Sequence, residues 1–212
     1  MQDADLQTAT ASEPLTLTEE FAMQRSWRAD RDKLTFIVCF PLPEILPEGT
    51  LLRAGEYDPP GRMLGDVNLF LLPSDEEEGE EDSNDVDENA RSSIIIGEIE
   101  LMIARKEFHR RGFGRSALRA FLVYLLSHWE ALATEYASPP PRLEFLRVKI
   151  QKSNVGSIRL FESVGFARTE QEANYFGEVE LRWVPDFEDW KEKEKGEEEE
   201  GSLVELRYGL LS

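Results

Sequence analysis

The sequence is poor in the residues that build cross-links and metal sites: it has one cysteine, Cys39, and two histidines, His109 and His128. A lone thiol forms no internal disulfide, and two separated imidazoles give no ligand cluster with metal spacing. Long apolar runs are missing too. No stretch approaches the roughly 18–20 residues that cross a bilayer. The opening Met1-Gln2-Asp3-Ala4-Asp5 lacks the basic and apolar regions of a secretion signal. The expectation is a reducing compartment, cytoplasmic or nuclear, with no membrane role. Self-similarity at a period of 20–50 residues is also absent, which disfavours a repeat architecture.

Positive charge is the other scarcity. Lysine and arginine total 24 against 43 acidic residues, a net charge of −19, which argues against a general nucleic-acid or anionic-membrane binder. The acid is concentrated in two tracts. Asp75 to Glu88 holds ten carboxylates and no cation, and Asp186 to Glu200 holds nine against three lysines, leaving about −3 for everything else. The remainder is thus nearly neutral. Residues 74–92 read as a disordered acidic insertion and residues 186–212 as an acidic tail. A chain of 212 residues fits one domain, over residues 8–185, and a monomer is expected.

What is present is a succession of short strands and helices. Thr16 with Glu19 three residues on forms a capping box, placing a helix over about 17–29. The β-branched and aromatic run from Leu34 to Phe40 reads as a strand stopped by Pro41. Residues 41–62, with five prolines and three glycines, read as a long loop. Strand character resumes at 63–72 and is strongest at 93–104. Apolar residues at three- and four-residue steps (Leu118, Phe121, Leu122, Leu125, Trp129) then mark a long helix over about 113–135. A strand at 143–150, a short helix at 154–164 closed by Gly165, and one or two strands within 175–184 complete the pattern. The fold class is α/β (α+β), a sheet covered by helices. Cys39, inside a strand, reads as a small core residue rather than a nucleophile.

The segment from Arg105 to Arg115 joins the strongest strand to the longest helix. Gly112 and Gly114 let backbone N–H groups approach a ligand, and orphan N–H groups at a helix start bind phosphate. Arg105, Lys106, Arg110, Arg111, Arg115 and Arg119 place six cations within fifteen positions. Each opposes the positive end of the helix dipole by roughly 0.3–1 kcal/mol, so an anionic ligand is expected there. The alternative is a solvated basic helix end. A P-loop is excluded because no Gly-Lys-Ser/Thr is present.

Gly112-Phe113-Gly114 after the strand 97–104, followed some forty residues later by Asn154-Val155-Gly156-Ser157 and ending in Val164-Gly165-Phe166, resembles the GNAT acetyltransferase superfamily. The segments Thr10–Leu17, Ala22–Gln24, Thr35–Val38, Gly65–Leu71, Gly97–Glu100 and Met102–Ala104 extend the resemblance over about Thr8 to Val184. It implies a mixed sheet of six or seven strands split by a splayed pair, with acetyl-coenzyme A in the opening. By the same resemblance, the pyrophosphate would lie on His109, Arg110, Arg111, Gly112, Phe113, Gly114 and Arg115. Backbone groups of Met102, Ile103 and Ala104 would hold the pantetheine, and Asn154 would reach the cofactor. The acceptor implied is the α-amino group of a protein, with tubulin the partner associated with the most similar members.

Acetyl transfer to an amine needs a base. Glu98 and Glu100, two apart in a strand, share a face, and like charge raises the pKa of at least one. Either serves as base, or this face is solvent-exposed, or the pair is held by basic neighbours such as Arg147 and Lys149 on the next strand. Three departures from the family pattern stand out. His109 replaces the Gln or Arg that usually begins the loop. Phe161 stands where many members carry a tyrosine that protonates the leaving thiolate. The family's first strand would lie upstream of the matched start, so the expectation is either a chain truncated relative to its relatives or a sheet with one edge strand fewer.

Overall fold

The computed structural model describes residues 15–43, 46–47, 49–74, 94–170, 172–187 and 205–209. The acidic insertion, nearly all of the second acidic tract and the segment ahead of residue 15, where a first strand would fall, lie outside them.

The chain opens with helix α1 (Leu17–Ala29), and both halves of the capping box are made: the Glu19 amide donates to Thr16 Oγ1 at 3.3 Å and the Thr16 amide to Glu19 Oε2 at 2.8 Å. Strands β1 (Lys33–Cys39), β3 (Met63–Pro73), β4 (Ile94–Ile103), β5 (Arg142–Gln151), β6 (Ala167–Arg168) and β7 (Glu178–Trp183) make one mixed sheet in the order β1-β3-β4-β5-β7-β6. Only β4 and β5 run parallel within it. Helix α2 (Phe113–Tyr136) connects that pair, and α3 (Val155–Glu162) leads from β5 towards β6.

Strand alternation gives the sheet two unlike faces. One carries Val67, Leu69, Leu71, Ile95, Ile99, Leu146, Val148, Ile150, Val179 and Leu181, all buried, against Leu118, Phe121, Leu122, Leu125 and Trp129 of α2 and Ile158 and Phe161 of α3. Each such side chain removed from water contributes roughly 1.5–3 kcal/mol, so this layer fixes where the strands lie. The opposite face is polar towards the C-terminal end of β4. A row crosses it from Lys33 through Phe70, Glu98 and Arg147 to Arg182, and the next row holds Thr35, Asn68 and Glu100. Helix α1 covers the Phe70 end, where Trp27 meets that ring edge-on at 5.9 Å.

One sequence expectation needs adjustment. The loop 41–62 contains strand β2 (Leu51–Arg53) and a 3-10 turn at Pro60–Arg62, and β2 pairs in parallel with β8 (Arg207–Gly209) from the C-terminal segment. Tyr208 Oη anchors that pairing by donating to Asp58 Oδ2 at 2.6 Å. Of the closing region 175–184, one strand forms, β7. Cys39 ends β1 at a register irregularity, half-buried, with burial pushing its thiol pKa up.

Candidate active site

β4 and β5 are paired at Ile94–Arg142, Ile95–Leu143, Gly97–Leu146 and Glu98–Arg147. Beyond Glu98 they separate: residues 99–103 continue against β3, and residues 148–151 continue against β7. A wedge therefore opens from Glu98 towards the ends of both strands, the point from which α2 and α3 also start. Its helix-side wall is tight. A Cβ on Gly114 would meet Leu160 Cδ1 at 2.8 Å, with Leu101 Cδ2 at 3.6 Å and Ile103 Cγ1 at 3.8 Å.

The basic turn at the wedge mouth is braced by aromatic rings. Phe40, Phe108 and Phe113 pack edge-to-face with centroids 4.8–5.9 Å apart. The Arg105 guanidinium lies 4.6 Å and that of Arg111 5.2 Å from the Phe108 centroid. Arg105 also pairs with Glu107 at 2.9 Å and donates to the Gly61 carbonyl at 3.0 Å. It is thus a structural brace, while Lys106, Arg110, Arg111, Arg115 and Arg119 are exposed around the start of α2.

The two glycines do different work. Gly112 caps α2 at φ +90°, a conformation that a side chain makes costly by about 1–2 kcal/mol, and has open space around it. Gly114 is crowded by the approach of α3, through Leu160. Arg110, with φ +57°, is a non-glycine residue in the left-handed region, the kind of local strain that concentrates at ligand clamps.

The remaining expected cofactor residues lie around the same opening. The Ala104 amide donates to Leu64 O at 2.8 Å across β3. His109 sits 2.7 Å by Nε2 from the Ile103 carbonyl, its ring N–H donating. Met102 opposes Asp66. Asn154 caps α3, its Oδ1 accepting from the Ser157 amide at 3.2 Å. Phe161 is buried and packs edge-on to Phe166 at 5.1 Å, so no hydroxyl is present to protonate a thiolate.

The structure separates the two glutamates. Glu98 accepts from Arg147 Nε at 2.7 Å and lies 3.4 Å from Lys149 Nζ, the basic-neighbour alternative. Glu100 lies beyond the last β4–β5 pair. Glu100 is exposed as a residue, but its carboxyl is partly desolvated by the strands around it, which pushes its pKa up, and the charges of Glu98 and Asp66 push it further. Asp66 is also raised, by burial, against a hydrogen bond from Asn68 that lowers it.

Asp66 and Asn68 were not singled out in the sequence. Their signal was present: two polar residues at alternate positions of a strand that is otherwise apolar. Asn68 Nδ2 donates to Asp66 Oδ1 at 2.8 Å, whereas Asn68 Oδ1 is buried without a partner. Such an orphan costs about 1–3 kcal/mol.

A mixed sheet whose only parallel pair parts above a glycine-containing basic turn, with a long helix starting at that turn, defines the GNAT class of acetyl-group transferases. A family model described as an acetyltransferase (GNAT) domain matches residues 1–167, and the chain belongs to that family. Among curated proteins it is 39% identical over 188 residues to an N-acetyltransferase 9-like protein of Schizosaccharomyces pombe, covering 85% of this chain and 83% of the relative. It is 36% identical to the alpha/beta-tubulin-N-acetyltransferase 9 of Drosophila melanogaster, covering 92% and 80%. The human protein of that name is 34% identical, covering 86% and 70%. Among solved structures, a mutant spermidine N-acetyltransferase of Vibrio cholerae shares the fold with a TM-score of 0.51 at 13% identity, over 86% of this chain and 82% of that one.

Proposed function

We propose that the chain transfers an acetyl group from acetyl-coenzyme A to a primary amine, the α-amino group of a protein, in the cytoplasm. The observation that carries this reading is the parting of β4 and β5 beyond Glu98 and Arg147. An opened strand pair offers backbone groups to an extended amide-bearing ligand, and the turn at its mouth offers cations and helix N–H groups to a pyrophosphate. In this reading His109, Arg110, Arg111, Gly112, Phe113, Gly114 and Arg115 receive the phosphates, Met102 to Ala104 flank the pantetheine, and Asn154 flanks it from α3. Tubulin is the acceptor to try first, because relatives are named for it.

Acetyl-coenzyme A supplies the thioester; the protein's task is to deliver a neutral amine to it. Glu100 suits that task. It lies where the wedge opens, and its raised pKa brings proton affinity closer to that of an effective base. Glu98, neutralised by Arg147 and Lys149, holds the vertex. The new amide bond forms as the C–S bond breaks, and the second proton that the nitrogen loses goes to the departing thiolate, without a tyrosine acid.

Buried Phe161 favours a second reading, a GNAT protein of weak turnover that works mainly by binding. Isothermal titration with acetyl-coenzyme A, followed by coenzyme A release with a tubulin N-terminal peptide, tests both. Binding with release supports the transferase, binding without release the weaker reading, and no binding below millimolar concentration overturns both.

A further inference from the structure

We propose that Asp66, Asn68 and Glu100 form the subsite that receives the acceptor's ammonium group, so that β3 recognises the amine that β4 deprotonates. This rests on the acetyl-transfer reading and adds residues on a different strand.

The geometry brings three hydrogen-bond acceptors together. Asn68 stands opposite Glu100 in the β3–β4 register, and Asp66 is two residues along on the same face. The Asn68 amide is oriented by Asp66: its Nδ2 donates to that carboxylate at 2.8 Å, and a flipped amide would set oxygen against oxygen. Asn68 is only 7% exposed, yet Oδ1 has no partner. A buried acceptor without a donor is tolerated where a ligand supplies one.

The charges agree. Arg147 and Lys149 are directed to Glu98, and Lys33 to Asp30. Among the described residues no cation pairs with Asp66 or Glu100. The subsite therefore offers two carboxylates and one amide oxygen, all acceptors, and an alkylammonium carries three N–H donors. An alcohol or an acylated amine matches this set poorly. Once the ammonium is seated, one proton passes to Glu100 and the nitrogen lone pair is released towards the wedge. Asp66 and Asn68 are positioning residues: they hold the nitrogen while Glu100 exchanges the proton.

The test uses the full chain and methionine amide, a minimal mimic of a polypeptide N-terminus, against N-acetylmethionine amide, which lacks the charge. In an NMR titration of the 15N-labelled protein, methionine amide is expected to shift the amides of residues 66–69 and 99–101 saturably, and the acetylated form is not. Asp66→Asn should weaken this binding at least 10-fold. Asn68→Leu, which replaces the orphan acceptor with an apolar group of similar volume, should weaken it about 5-fold while leaving Tm equal or higher. In turnover with a peptide acceptor, KM for the peptide should rise by the same factors, with kcat within 3-fold and the acetyl-coenzyme A Kd within 2-fold of wild type. Equal binding of the two amides, or peptide KM values unchanged in both variants, would overturn the subsite. Failure of acetyl-coenzyme A to bind wild type, with the methionine amide shifts intact, would instead overturn the transferase reading alone.

Discussion

Arg147 Nε donates to Glu98 Oε2 at 2.7 Å at the last position where β4 and β5 are paired. This ion pair marks the vertex of the wedge. Arg147 is almost wholly buried, with 9% of its side chain exposed, whereas Glu98 keeps Lys149 if Arg147 is replaced, so the costly change is the one that takes the carboxylate from the buried guanidinium. Glu98→Leu is expected to cost about 3 kcal/mol, read from urea denaturation. The double variant Glu98→Leu/Arg147→Met should recover most of that loss, since neither charge is then left alone.

Glu100→Gln should lower kcat by about 100-fold or more, with acetyl-coenzyme A affinity unchanged. Glu98→Gln should lower it far less, because Glu98 serves the vertex and not the amine. Steady-state kinetics on the pair checks this, and equal losses would remove the assignment of the base to Glu100.

The raised pKa of Glu100 also fixes the sign of two pH effects. As base it must be ionised, so activity should fall as pH drops through its folded pKa, above its ordinary value, and Glu100→Gln should abolish that limb. For stability, a carboxyl raised by partial desolvation and like charge favours the fold when protonated. The fold loses that stability as pH rises from the unfolded towards the folded pKa. Glu100→Gln is therefore expected to raise Tm at pH 7 relative to wild type, with the gain shrinking towards pH 4.

Gly114→Val should lower acetyl-coenzyme A affinity at least 10-fold, because its side chain would push Leu160 and Leu101 into the wedge. Gly112→Ala should instead cost about 1–2 kcal/mol of stability through its left-handed φ, with a smaller effect on affinity, since nothing crowds that position. Calorimetry and thermal melts on both variants separate packing from backbone strain.

Phe161→Tyr is expected to lower stability by about 1–3 kcal/mol without raising kcat. The ring is buried against Phe166, and a hydroxyl placed there loses water without a partner. A rise in kcat would show that the position can supply an acid.

What the sequence disclosed was local. The Thr16–Glu19 box set the start of α1, and the spacing of Leu118, Phe121, Leu122 and Leu125 set the span of α2, because both are contacts within a few turns of chain. The turn 105–115 was legible as a basic site for the same reason. The separate fates of Glu98 and Glu100 were not, since they depend on where β5 stops pairing with β4, a relationship across some fifty residues. That Gly114 is also crowded by Leu160 could not be read locally, because that neighbour lies in another helix. The same distance hid the pairing of Leu51–Arg53 with Arg207–Gly209, which a loop rich in proline and glycine does not announce.

The hydrogen bond from His109 to the Ile103 carbonyl bears on what governs ligand selection. That carbonyl already has a donor, so an incoming amide that displaced the imidazole would exchange one hydrogen bond for another with little net gain. Discrimination among thioesters would then fall to the charged end of the molecule. A short acyl thioester lacking the nucleotide should be a poor competitor, and free coenzyme A, which keeps its phosphates, a strong product inhibitor.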